Sequence, residues 1–351
     1  MQLKRLDLHN IRSIKTASLE FLPGVNLIYG KNGSGKTSIL EALALFAQGR
    51  SFVVANNREL INHGAEELTC ALAYAHHQEH QAGFSLDTDG KRQIRLDGGE
   101  LASLQLLARN LPLLFVTPRS FQLLEGSSKE RRRLVDWLVF HVEPEFAKAH
   151  SGFSRLLAQR NALLKRSGCE LETWDRAFAE ASEEVNHYRL KTFQRLQPML
   201  KAALRNWLKE KDLKISSHQG WSTNADLVEQ LGRDREQDKR RGFTAKGAHR
   251  YDLLFSVSGH KASQALSRGE KKRLILALVF AQICMAREEG VEPILLIDDL
   301  PAELDQQGCR QTVKTAMELC PQLLVTSIEK TKLRQMAKRV FHMEHGRVLQ
   351  E

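Results

Sequence analysis

One octapeptide constrains this chain more than any other feature. Gly30-Lys31-Asn32-Gly33-Ser34-Gly35-Lys36-Thr37 fits the pattern G-x-x-x-x-G-K-[ST]. It falls between a short apolar run, Val25 to Tyr29, and a stretch in which Ile39, Leu40, Leu43 and Phe46 recur at helical spacing up to Gly49. A strand, a glycine-rich turn and a helix in that order make a phosphate cradle. Glycines let backbone N–H groups face the anion, and the helix N-terminus adds positive potential. In such a loop the lysine, Lys36, reaches the β- and γ-phosphates, and the hydroxyl of Thr37 is a ligand for Mg2+. Gly30 to Ser38 is therefore the expected binding segment for ATP.

A second motif lies far downstream. Ile294-Leu295-Leu296-Ile297 reads as a buried strand, and it ends in Asp298-Asp299. Beside a phosphate loop, Asp298 is placed to hold the metal, and Asp299 to orient or deprotonate an attacking water. An aspartate reaches less far than a glutamate, so slow hydrolysis is expected. Between the two motifs stands Leu266-Ser267-Arg268-Gly269-Glu270, at the start of a helical run. Serine and glycine there form another anion-binding helix start, and a simple capping box accounts for Ser267 equally well. One nucleotide does not need two such sites. The economical account is that Ser267 to Glu270 meets the γ-phosphate of nucleotide on a second subunit.

The rest of the chain divides by texture. The first third alternates: Thr69 to Ala75, Gly83 to Asp87 and Gln93 to Asp97 read as an antiparallel meander. From Ser127 to Arg166 and from Glu172 to Lys211 glycine almost vanishes and apolar residues recur at three and four. These stretches predict two long helices with breaks, Pro144 and Pro198 ending or kinking them, either as a projecting arm or as a packed lobe. Residues 212–250 are polar. The expected architecture is an α/β head built from 1–120 and 251–351, with a mostly helical insertion over 121–250.

Charge follows the same division. The formal net charge is +10. Residues 121–250 hold 25 basic and 18 acidic side chains, whereas the flanking segments are close to neutral. A polyanionic partner is thus expected at the insertion, with Lys129, Arg131, Arg132, Arg133, Arg240 and Arg241 as candidate contacts to a phosphate backbone. The five cysteines are widely spaced without a C-x-x-C pair, which argues against a disulfide framework and for a reducing cytoplasm. No stretch is apolar enough to serve as a leader or a membrane span, the longest apolar run being Leu274 to Ala281. His76, His77 and His80 fall on a predicted hairpin turn and read as a solvent-facing loop rather than a metal site.

Taken in order, these motifs resemble the ABC-type ATPases of the SMC and Rad50 group, and within it the RecF family of bacterial replication and repair proteins. Other matching segments are Gly49-Arg50-Ser51-Phe52, Thr117-Pro118, Arg131 to Asp136, Arg241 to Thr244, Gly247 to Arg250 and Glu303-Leu304-Asp305. The resemblance implies an ABC-type P-loop ATPase head, with a mixed sheet and an antiparallel β meander, carrying an inserted helical lobe or short arm. It implies Arg12 and Ser13 near the nucleotide phosphates, His63 near the base or sugar, and Asp305 in a loop at a dimer interface. It also implies an ATP-dependent homodimer on double-stranded and gapped DNA, RecR-like and RecO-like mediators, a RecA filament and no membrane. Thr326-Ser327 occupies the switch position where transporter ATPases carry histidine. A diverged SMC- or Rad50-like tether and a transporter-associated subunit are the alternatives.

Overall fold

The structure is a computed structural model that describes residues 1–166, 171–208, 211–302, 304–329 and 332–350. The N-terminal segment runs β1 (Gln2–Ile11), β2 (Ile14–Glu20), β3 (Gly24–Tyr29), α1 (Lys36–Gln48), β4 (Glu67–His76), β5 (Gln78–Asp87), β6 (Arg92–Leu96), β7 (Gly99–Glu100), α2 (Gln105–Asn110) and β8 (Leu113–Val116). The middle holds α3 (Gln122–Glu125), α4 (Ser128–Val142), α5 (Phe146–Leu164), α6 (Glu172–Trp207), β9 (Leu213–His218), α7 (Leu227–Arg241), β10 (Asp252–Val257), β11 (His260–Lys261), α8 (Ala262–Ala265) and α9 (Arg268–Glu288). The C-terminal segment adds β12 (Ile294–Ile297), α10 (Gln306–Leu319), β13 (Gln322–Ser327), β14 (Arg339–Glu344) and β15 (Arg347–Gln350).

Two compact units result, one from Met1–Ser120 with Ile275–Glu351 and the other from Phe121–Leu274. Residues 251–274 thus group with the middle of the chain, although the change in composition puts the return to the head at 251. In the first unit the meander is wholly antiparallel, in the order β2-β1-β4-β5-β6-β7. The second sheet has the order β15-β14-β3-β13-β12-β8 and is parallel from β14 to β8. Parallel strands covered on both faces need continuous apolar runs. Accordingly all four residues of β12 and all six of β13 are buried. Helix α1 is buried from Ser38 through Phe46 without a break. Its Ile39, Leu40, Leu43 and Phe46 share one core with Leu6, Leu72 and Phe84 of the meander and with Leu296 and Leu324 of the parallel sheet. The phosphate-loop helix is therefore gripped by both sheets, which fixes the loop at its start.

The second unit has its own core. Helix α6 is 36 residues long, about 54 Å at 1.5 Å per residue. Its Phe178, Val185, Phe193, Leu196 and Leu200 are buried, and Phe153 of α5 meets Phe178 at 5.6 Å between centroids. These residues make a packed lobe with a three-stranded sheet, β11-β10-β9. The expected first long helix is broken at Pro144 into α4 and α5. Pro198, by contrast, lies inside α6 without ending it. Both Pro198 and Gln194, whose carbonyl the proline cannot bond, are exposed. Strand β9 lies within the polar segment, where only Leu213 and Ile215 mark its alternation; Ile215 pairs with Phe255 of β10. Ser167, Gly168 and Cys169, placed between the two predicted helices, lie outside the described residues.

Candidate nucleotide-binding site

The loop leaves β3 at Gly30, where φ is 155° and a Cβ would stand 2.2 Å from the carbonyl oxygen of Met343. Only glycine fits there, because β14 runs alongside. Gly33 has φ 76° with open space around it, and Lys31 and Asn32 are exposed. Lys36 closes the loop on itself, its Nζ donating to the carbonyls of Gly30 at 2.6 Å and Lys31 at 2.9 Å. Burial lowers the pKa of this amine, against the opposing pull of the Asp298 and Asp299 carboxylates. The Ser34 hydroxyl is buried and has no hydrogen-bond partner among the described residues. A buried hydroxyl left unpaired costs free energy, so it marks a place that a ligand oxygen would satisfy. Ser38 is buried one turn into α1.

The acidic strand end comes to this loop across 261 residues of sequence. Thr37 Oγ1 donates to Asp298, 3.0 Å from Oδ2 and 3.2 Å from Oδ1. Asp298 is 5% exposed. A hydroxyl and a carboxylate side by side are the hard oxygen donors that Mg2+ takes when phosphates complete its shell. Among the described residues no group of three or more His, Cys, Asp or Glu could hold a metal ion by itself. The residues present therefore fit Mg-ATP. Asp299 follows with φ 51°, and its N–H donates to Thr326 Oγ1 at 2.7 Å.

Of the flanking candidates, Ser13 lies nearest the loop, its Oγ 3.3 Å from where a Cβ on Gly35 would stand. Arg12, at φ 53°, turns its guanidinium to Glu41 of α1, with Nη2 to Oε1 at 3.1 Å and Nε to Oε2 at 3.3 Å. Glu41 is 2% exposed and also accepts from the Ser51 hydroxyl. His63 is exposed beside Asn62, which donates to the Arg12 carbonyl. Glu41 joins the site without having been marked as a site residue, and Thr326, marked only as part of the switch position, joins it by bonding Asp298 and Asp299. An acid inside the apolar run Ile39-Leu40-Glu41-Ala42 is the signal that points to the first.

At the start of α9, Ser267 and Glu270 form a reciprocal cap. Glu270 Oε2 accepts from the Ser267 N–H at 2.8 Å and its hydroxyl at 2.9 Å, and these bonds hold the Glu270 pKa below its ordinary value. Lys211 pairs with Glu270 at 3.1 Å, and the Arg268 guanidinium lies over the Phe121 ring at 5.4 Å. Asp305 caps α10, accepting from the Gly308 N–H at 2.7 Å; Glu303 lies outside the described residues. The basic candidates separate into two kinds. Arg131 is bidentate on Asp252, Arg132 donates to the Tyr251 carbonyl, and Arg133 pairs with Glu130. Lys129, Arg240 and Arg241 are exposed. His80 sits 2.7 Å from Asp97 on the β4–β5 hairpin.

A P-loop helix held between an antiparallel meander and a parallel sheet, with a diaspartate strand end at the loop and a helical insertion, defines an ABC-type ATPase head with a helical arm. The RecF/RecN/SMC N terminal domain family matches residues 2–348. The DNA replication and repair protein RecF of Shewanella oneidensis is 36% identical over 356 aligned residues, covering 99% of each chain. The protein of the same name from Cellvibrio japonicus is 35% identical over 361 residues, again covering 99% of each. A solved structure of the recombination mediator protein RecF with ATP in the RecFOR pathway superposes with a TM-score of 0.88 at 25% identity, over 100% of this chain and 97% of the other. An Smc head bound to the C-winged helix domain of ScpA shares the fold alone, with a TM-score of 0.63 at 17% identity over 100% of this chain and 98% of that one. The chain belongs to the RecF family.

Proposed function

We propose that this protein is an ATP-gated DNA-binding dimer of recombinational repair, with slow ATP hydrolysis as its release step. The observation that carries the reading is the meeting of Thr37 with Asp298 at the phosphate loop. Backbone groups of Gly30 to Thr37 and the Lys36 amine hold the nucleotide phosphates, and Lys36 exchanges its carbonyl partners for them. Thr37 and Asp298 would hold Mg2+, which would supply positive charge to offset that of the nucleotide phosphates. Asp299 orients water for attack and accepts its proton. Arg12 and Ser13 lie on the phosphate side of the loop, and His63 lies toward the base or sugar.

In the dimer, Ser267 and Gly269 of one protomer close on the γ-phosphate held by its partner, and Asp305 lies at the interface. The Ser267–Glu270 cap holds this helix start rigid, with Arg268 beside it. ATP thus holds two heads together on duplex DNA at single-strand gaps, and hydrolysis parts them. The basic insertion supplies the grip, through Lys129, Arg240 and Arg241 first; Arg131, Arg132 and Arg133 shape the helix that presents Lys129. RecR-like and RecO-like mediators and a RecA filament are the expected partners, in the cytoplasm. Among the described residues no helix is long and apolar enough to cross a membrane.

Fluorescence anisotropy with duplex, single-stranded and gapped DNA, with and without ATP, tests the reading. Tighter binding to duplex and gapped DNA with ATP is expected, weakening steeply as salt rises. Binding that ignores ATP, or no binding at all, would sink it.

A further inference from the structure

We infer that Thr326, buried at the end of β13, is the positioning residue that sets both aspartates of the acidic strand end. The inference rests on the reading of this site as a Mg-ATP site and concerns how its acidic half is held.

The register places β12 and β13 side by side, Ile297 opposite Val325, so Thr326 lies beside Asp298. The side chain is fully buried and follows three buried aliphatic residues, Leu323 to Val325. Its Oγ1 donates to Asp298 Oδ1 at 2.7 Å and accepts from the Asp299 N–H at 2.7 Å. Its carbonyl accepts from the Leu300 N–H at 3.2 Å. One residue therefore bonds three successive positions of the neighbouring loop.

Each bond has a separate consequence. The Asp298 carboxylate lies between two hydroxyls, Thr37 and Thr326, so its plane is fixed before any cation arrives. Asp299 has φ 51°, a left-handed conformation that is strained for a non-glycine residue and persists only where its surroundings hold it. The bond from its N–H to Thr326 is one part of that hold, beside the bond its carbonyl accepts from the Ala302 N–H at 3.0 Å. An outer partner that orients a metal-ligating carboxylate typically changes metal affinity or activity 10–100-fold when removed.

Thr326→Val keeps the shape and deletes both bonds, whereas Thr326→Ser keeps the hydroxyl. Binding of a fluorescent ATP analogue, titrated with Mg2+ and repeated in EDTA, is read alongside kcat and the thermal midpoint. In Thr326→Val the Mg2+ midpoint should rise about 10–100-fold and kcat fall by a similar factor. Nucleotide binding in EDTA, which needs only the loop, should stay at the wild-type level. Thr326→Ser should restore both quantities. Should the valine variant not fold, Thr326→Cys, a weak donor, should shift both in the same direction by less. A wild-type Mg2+ midpoint in the valine or cysteine variant, or a serine variant as impaired as valine, overturns the inference alone. A wild-type protein that binds no ATP analogue overturns the reading of the site, and the inference with it.

Discussion

At the scale of single residues, Arg12 and Glu41 set each other's state. A carboxylate only 2% exposed is costly to bury unless it is paired and hydrogen-bonded, and Arg12 with Ser51 provides both. Arg12 itself is 27% exposed, so removing it should cost about 2 kcal/mol, less than the loss of a fully buried pair. Urea unfolding of Arg12→Ala, Glu41→Gln and the double variant measures this. The double variant should be more stable than Arg12→Ala alone, because the uncompensated charge is gone. The two residues were not equally legible. Arg12 was marked by the family resemblance alone, while Glu41 showed only as an acid inside an apolar run, and its partner is set by tertiary packing. Lys36, Thr37, Asp298 and Asp299 were legible because the chemistry fixes both their identity and their spacing from a strand end.

Among elements, those whose neighbours are close in sequence, or whose burial is complete, could be read directly. Helix α1 and strand β12 announce themselves by period and by an unbroken apolar run. Strand β9 does not, because half of it faces water and its partner, β10, lies some forty residues on. The turn Gly247 to Arg250 shows what such long-range packing does to chemistry. The His249 ring packs against both Phe153 and Phe178, its Nε2 donating to the Thr244 carbonyl at 2.9 Å. Burial pushes its pKa down from the ordinary 6.5 to about 4, and nearby arginines add to the effect. The unfolded chain then binds the proton more readily than the folded one. Stability from the neutral ring is complete above about pH 6.5 and is lost as pH falls toward 4. Thermal unfolding followed by circular dichroism between pH 7 and 4 should show that loss, and His249→Gln should flatten the profile across this window.

For the whole molecule, ATP should act as the glue of a dimer. Light scattering should find wild-type protein dimeric with ATP and monomeric without it. Lys36→Arg should keep its far-UV circular dichroism and remain monomeric in both conditions; a dimer in this variant would count against the mechanism. Topology adds a consequence for how the protein is made. The meander is complete within the first hundred residues, but β3 waits for β13 and β14. The 261 residues from Thr37 to Asp298 take about 13–50 s to synthesise at 5–20 residues per second. Throughout that interval the nascent chain carries a phosphate loop with no acidic strand beside it. A polypeptide released early keeps the more conspicuous half of the motif and lacks the half that completes it. Placing the insertion between the halves thus delays the pairing of Thr37 with Asp298 until the middle of the chain has been made.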